Sequence, residues 1–442
     1  MDRDQGGSRA AKRLSIIVGL IMVLLPFDEL LSVWAASRFN HLDLFHVWKE
    51  ILIAILAFPT VWLAWRHGLL KKTFLRSWLF LLMVAYVLLH LVLGFWALHD
   101  GQVDRTALIY ALVINLRFFG FFLVCLLLSA TSPLLRRYWH YILLIPAGGV
   151  VLFGLVQKFI LPTDFLKHFG YSPKTIPTYQ TVDSNIDYRR VQSSLRGANP
   201  LGAYLAFIIP GFVLGLARRR VAQVLVLIGS LIVLFYTYSR SAWVGLAISL
   251  VILGWLMLKK INGTWALTVV AVLAAGSVGV YSLRSNHTVQ DVLLHTSVSS
   301  TSPQSSNAQR SSAIKNGLRD VAHQPLGRGP GTAGPASFRN NHPARIAEDY
   351  YLQIGQEVGV LGLAIFLAIN AVVARRLLAQ REELLAKILL ASLAGICFIN
   401  LVSHAWTDDT LSLLWWGLAG VSLGPVILAD RRKQNGRLQK ST

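Results

Sequence analysis

The sequence predicts an all-α polytopic membrane protein with about twelve transmembrane helices and one large polar loop between the ninth and tenth. Three observations predict it. Of 442 residues, 54% are hydrophobic and only 14% charged, against roughly 25% charged in a soluble domain, and the mean hydropathy is +0.54. Apolar runs of about 18 residues or more recur along the chain, the length at which a helix crosses a bilayer. Lys and Arg cluster in every second connection, as the positive-inside rule requires. The alternating pattern of a β-barrel is absent.

In chain order, the expected spans are 14–36, 44–65, 78–98, 107–129, 138–161, 200–217, 221–238, 242–258, 265–283, 352–374, 385–404 and 411–429. The first follows basic residues with no small-residue cleavage site, and so reads as an uncleaved helix. With a cytoplasmic N-terminus, more than half of the Lys and Arg fall inside, from Arg3, Arg9, Lys12 and Arg13 through Arg218, Arg219 and Arg220 to Arg431, Arg432 and Lys433. Both termini are then cytoplasmic. The net charge of +21 is topological, and the Arg218–Arg220 run is an anchor rather than a nucleic-acid patch. Cys125 and Cys397 fall inside apolar runs and form no disulfide or metal framework. The chain thus divides into residues 1–284, spans one to nine with an outer loop at about 162–197; 285–351, the large loop with short helices; and 352–442, spans ten to twelve and a basic tail.

The outer side, where cations should be scarce, keeps arginines in two loops. Residues 162–197 carry Lys167, Lys174, Arg189, Arg190 and Arg196; the large loop carries Arg310, Lys315, Arg319, Arg328, Arg339 and Arg345. Solvated loop charge balanced by nearby acids is the plain explanation for any one of them; together they suit an anionic ligand. Arg196 precedes Asn199 and Pro200, a capping residue and a first-turn proline, so that a helix N-terminus and a guanidinium share one phosphate-binding direction. Arg240 lies in a short turn between Ser239 and Ser241, which allow close helix approach; a snorkelling anchor is the other reading. Residues 308–323 read as a helix ending before Pro325, with Arg310 one turn ahead of Ile314, Leu318 and Val321 on its apolar face.

Glu348 and Asp349 open the tenth span, where the helix dipole alone favours acids; a carboxylate there could also take a proton from a hydroxyl. His342 is the other candidate base. His404, Asp408 and Asp409 lie between the last two spans; interhelical bonding or acceptor positioning suits them better than a metal, for which a third convincing ligand is missing. Lys49, Glu50 and Arg117 lie inside spans, and a Glu50–Arg117 pair is expected. The turn GRGPGTAGP lacks the ending of a nucleotide loop.

These residues resemble the O-antigen ligase and O-antigen polymerase superfamily. The likeness lies in the topology of the whole chain, in SRSAWVG around Arg240, in the helix of Arg310 followed by PLGRGPG, and in a tenth-span signature of histidine, amide or hydroxyl, nine residues and G-x-x-G. Gly359 and Gly362 supply the glycines, which puts Glu348 at the histidine and Asp349 at the amide position. The resemblance implies a GT-C-like glycosyltransferase of the bacterial inner membrane, working on the periplasmic face without metal or cofactor in lipopolysaccharide biosynthesis. It implies an undecaprenyl-diphosphate-linked glycan as donor, lipid A–core as acceptor and membrane lipids as surroundings. Arg196, Arg240 and Arg310, with Asp349 and Asp409, would bind substrate and diphosphate; Glu348 or His342 would be the base, aided by Arg310. A polymerase using the same donor, or a non-enzymatic lipid or glycan transporter, are the rival expectations.

Overall fold

The computed structural model describes residues 2–39, 42–70, 77–182, 185–216, 219–258 and 306–438. The expected ninth span at 265–283, the start of the large loop and most of its serine-rich stretch lie outside these residues. Among the described residues the regular structure is helical, save one antiparallel hairpin of β1 (Gln180–Val182) and β2 (Asn185–Arg190). Eight helical stretches among the described residues are long and apolar enough to cross a membrane. They comprise α1 (Asp2–Leu24) with α2 (Asp28–Phe39), α4 (Trp48–Arg66), α5 (Trp78–His99), α6 (Arg105–Thr131), α7 (Leu134–Phe159), α8 (Ala198–Gly215), α10 (Arg240–Met257) and α12 (Tyr350–Ala379). The apolar helices α9 (Arg220–Tyr236) and α13 (Leu384–Asn400) are shorter. The short α3 (Leu42–His46), the polar α11 (Ser306–His323) and the last helix, α14 (Asp409–Leu438), complete the set.

The first span is not one helix. A 3-10 turn at Leu25–Phe27 separates α1 from α2, because Pro26 has no N–H to continue the ladder. Carbonyls at the break take side-chain partners: Thr410 Oγ1 donates to Leu25 O at 2.9 Å and Ser194 Oγ to Pro26 O at 2.6 Å. A broken helix at membrane depth needs such partners. The break also places Asp28 and Glu29, both buried, at the start of α2.

α14 runs along α6 at the centre of the core. Small residues allow it: a Cβ on Gly420 would stand 2.4 Å from Phe122 O, and one on Gly424 2.7 Å from Leu126 O. Ser129 Oγ crosses the seam to Val421 O at 2.7 Å. Trp406, Trp415 and Trp416, all fully buried, pack edge-on above it.

Candidate active site

α11 lies across the first turns of α12. A Cβ on Gly317 would stand 3.0 Å from Ala347 Cβ, one on Gly355 3.0 Å from Val321 Cγ2, and Gln356 Nε2 donates to Asp320 Oδ2 at 2.9 Å. The facing residues are therefore Arg310, Ile314, Gly317 and Val321. Leu318, expected on that face, is instead 55% exposed, because the contact stripe follows the small Gly317, which permits the close approach. Arg310 does face α12: its Nε donates to Glu348 Oε2 at 2.7 Å, with the two side chains 30% and 44% exposed. Glu348 has φ +54°, a left-handed conformation that a glutamate adopts at a cost of roughly 1–3 kcal/mol.

That backbone turn has a local reason. Asp349 caps α12, its Oδ1 accepting from the N–H groups of Tyr351 at 2.8 Å and Leu352 at 3.0 Å. Burial raises its pKa against the pull of those two bonds. Asp349 thus closes the helix end through Oδ1, and Glu348 precedes it, partly exposed. His342 stands apart: exposed, its Nε2 is 2.9 Å from Gly101 O, in the turn between α5 and α6. The side chain ties the large loop to that turn.

The glycine-rich turn plugs a break in α12. Val358 and Gly359 leave the helical conformation, Gly359 with φ +72°. Val360 N bonds Pro325 O at 2.8 Å, and the N–H groups of Arg328 and Gly329 take the carbonyls of Gln356 and Glu357 at 2.9 and 2.8 Å. Glu357, fully buried in α12, accepts from Gly331 N at 2.8 Å and Asn115 Nδ2 at 2.7 Å. Sequence reading passed over Glu357, although an acid inside an apolar span is itself a signal. The first glycine of the G-x-x-G pair is therefore the hinge of this joint.

Two cavities open beside the N-terminus of α8. One, about 460 Å³, reaches Glu29, His46, Glu50, Arg117 and Asp409; the other, about 470 Å³, reaches Asn199, Phe338, His404 and Asp408. Arg196, Arg339, Tyr110 and Thr407 line both. Arg339, 4.4 Å over the Tyr110 ring, had read only as loop charge. Asn199 does not cap α8 as expected. It accepts from Arg190 Nη2 at 2.5 Å, and Gln180 Oε1 takes the Ala198 N–H at 3.1 Å instead; the hairpin supplies the cap. Burial pushes the His404 imidazole down to about 4, so it is neutral at physiological pH, and the charges of Glu348 and Arg310 both act on it. Its Nε2 has no hydrogen-bond partner among the described residues.

Asp409 belongs to a buried ion cluster, the interhelical bonding that was one of the two expectations for it, and it also lines the first cavity. Lys49 Nζ lies 2.8 Å from Asp28 Oδ2 and 2.8 Å from Asp409 Oδ2, and Arg117 Nη1 2.6 Å from Glu50 Oε1 and 3.8 Å from Asp409. The expected Glu50–Arg117 pair is present. Asp28, Glu29 and Asp409 bring oxygens within 4.8 Å of one another, the spacing of a metal site, but Lys49 already supplies a positive charge there. Arg240 begins α10, half-buried, with Ser239 Oγ 3.4 Å from Ser241 Oγ and Gly202 of α8 packed against the same turn. It lines neither cavity.

No curated protein matches the chain. Residues 224–367, from α9 through the Arg310 helix and the α12 break, match the family model of the O-antigen ligases.

Proposed function

We propose that this multi-pass membrane protein is a glycosyltransferase that moves an undecaprenyl-diphosphate-linked glycan onto a hydroxyl of lipid A–core at the periplasmic face. The observation that carries it is the Arg310–Glu348 pair at 2.7 Å, on the start of α12, inside the segment that resembles O-antigen ligase. The acceptor oxygen bonds to the anomeric carbon as the bond from that carbon to the diphosphate oxygen breaks. The electron pair leaves with the diphosphate, and the hydroxyl proton passes to Glu348. Arg310, fixed by its own carboxylate partner, orients Glu348 and faces the leaving group; Arg196 and Arg339, on the wall shared by the two cavities, oppose the charge that the diphosphate gains. Arg240, at the start of α10 and outside both cavities, is assigned a supporting role toward the same anionic donor.

Glu348 is preferred over His342 as base because the His342 ring is engaged with Gly101 O at 2.9 Å. The test is transfer by purified protein, in detergent and without a membrane gradient, from a polyprenyl-diphosphate donor to lipid A–core or to a second donor glycan. Transfer to lipid A–core is expected, reduced at least about 100-fold in Arg310→Ala and in Glu348→Gln but kept in His342→Ala. Chain growth on the donor alone would make the protein a polymerase, and an active Glu348→Gln beside an inactive His342→Ala would reverse the base.

A further inference from the structure

α7 ends at Lys158 and Phe159, where two more cavities meet across one wall. The first, about 180 Å³, is lined by Lys158, Thr163, Tyr179, Asp187, Arg189 and Arg190, among others. Among the described residues, Lys158, Arg189 and Arg190 share this lining with Asp187. The second, about 490 Å³, is an open apolar groove between α7 and α9, lined by Phe159, Ile228, Leu231, Ile232, Phe235 and Tyr236. Lys158 Nζ lies 4.2 Å over the Tyr236 ring, and the Phe159 and Tyr236 ring centroids are 5.7 Å apart, so these side chains form the shared wall. Arg189 donates to the Thr163 hydroxyl and to Ile186 O, both uncharged acceptors.

A small basic pocket separated from an apolar groove only by the Lys158 and Tyr236 side chains, on the flank of a membrane helix, offers one place for a lipid phosphate and another for its acyl chain. We propose that it binds a phosphate-bearing acylated lipid, the phosphate against Lys158, Arg189 and Arg190 and one chain along the groove, and that the lipid is the phosphorylated glycolipid acceptor. The assignment of the acceptor rests on the transferase reading above. Its structural argument is the link to the candidate site. Arg190, which lines this pocket, also bonds Asn199 Oδ1 at 2.5 Å, and Asn199 lines the cavity of Arg196 and His404. A lipid anchored here has its sugar headgroup at that cavity's edge.

The test uses the full chain and the double variant Lys158→Gln/Arg189→Gln. In transfer assays the KM for phosphorylated lipid A–core is expected to rise about tenfold, with kcat and the donor KM little changed and with no rise for acceptor stripped of its phosphates. Ile228→Trp, which narrows the groove, is expected to raise the KM for both acceptor forms. In the double variant, a rise in donor KM instead, or an equal loss with and without acceptor phosphate, overturns the proposal. Should the parent chain transfer nothing, the transferase reading fails on its own, and native mass spectrometry still decides the site. Lipid A retained by the parent and lost from the double variant supports it; no difference, or phosphatidylglycerol held in preference to lipid A, overturns it. Matched thermal midpoints confirm that the variants fold.

Discussion

Glu348 shows how one residue's surroundings redefine it. The helix dipole explains an acid at this position, but it is Asp349 that performs the capping. Glu348 is then thrown into a left-handed conformation and meets Arg310. His46 is a second residue decided by its neighbours. Burial alone would lower its pKa, but the hydrogen bond and charge of Glu29, 3.2 Å away, outweigh it and raise it. The folded chain therefore favours protonated His46, and the pair's stabilisation is fully present below the imidazole's ordinary value of 6.5 and fades as pH rises through the higher folded value. Relative to His46→Asn, the parent chain is expected to lose thermal midpoint as pH rises above the imidazole's ordinary 6.5, read by unfolding scans in detergent. A difference that is flat with pH, or grows with it, contradicts the pairing.

At the scale of elements, α12 depends on its break. Gly359 holds φ +72°, and a Cβ there would stand 2.4 Å from Pro325 O and 2.5 Å from Leu326 C. Gly359→Ala is thus both strained and blocked, at a cost of at least ~1–3 kcal/mol from the backbone alone. The expected outcome is a lowered thermal midpoint with lost transfer, since Glu348 and the glycine-rich turn sit on one joint. Gly362→Ala is a weaker test, its nearest neighbour being the side chain of Val358. The motif spacing was legible in the sequence, but its purpose was not. The sequence placed Gly359 and Glu348 on one helix; only the fold brought Gly327 from the loop into that helix's gap, with Gly329 packed on Leu93 and Ala97 of α5 and Gly331 on Ala107 of α6. Likewise the Arg310 face was readable from helical phase, while the exposure of Leu318 followed from which residue was small enough to touch α12.

Across the whole molecule, the ion cluster ties α2, α4, α6 and α14 together through Asp28, Lys49, Arg117 and Asp409. Lys49 is 1% exposed and balances carboxylates from two other helices. Lys49→Met would leave those acids buried without their cation, a change that costs ~3–5 kcal/mol for a broken buried pair. A large drop in thermal midpoint is expected, partly recovered in Lys49→Met/Asp409→Asn. If Lys49→Met is neutral, the cluster does not hold the bundle. Asp408, buried beside Asp409, has its pKa raised by burial and by that like charge, which leaves Asp409 as the anion that Lys49 meets.

Local physics was sufficient for the membrane character of the chain, the positions of most helices, the glycine signature and the arginine-bearing loops. Hydropathy, charge asymmetry and helical period each act over one or two dozen neighbouring residues, and so are written in the linear order. Tertiary structure decided what no window of that size contains. It placed Asp409 with Lys49, Glu357 with Asn115, and Arg339 beside Arg196 at a shared cavity wall. Each of these pairings joins residues distant in sequence, and a buried charge or N–H takes whichever partner the packing brings within reach.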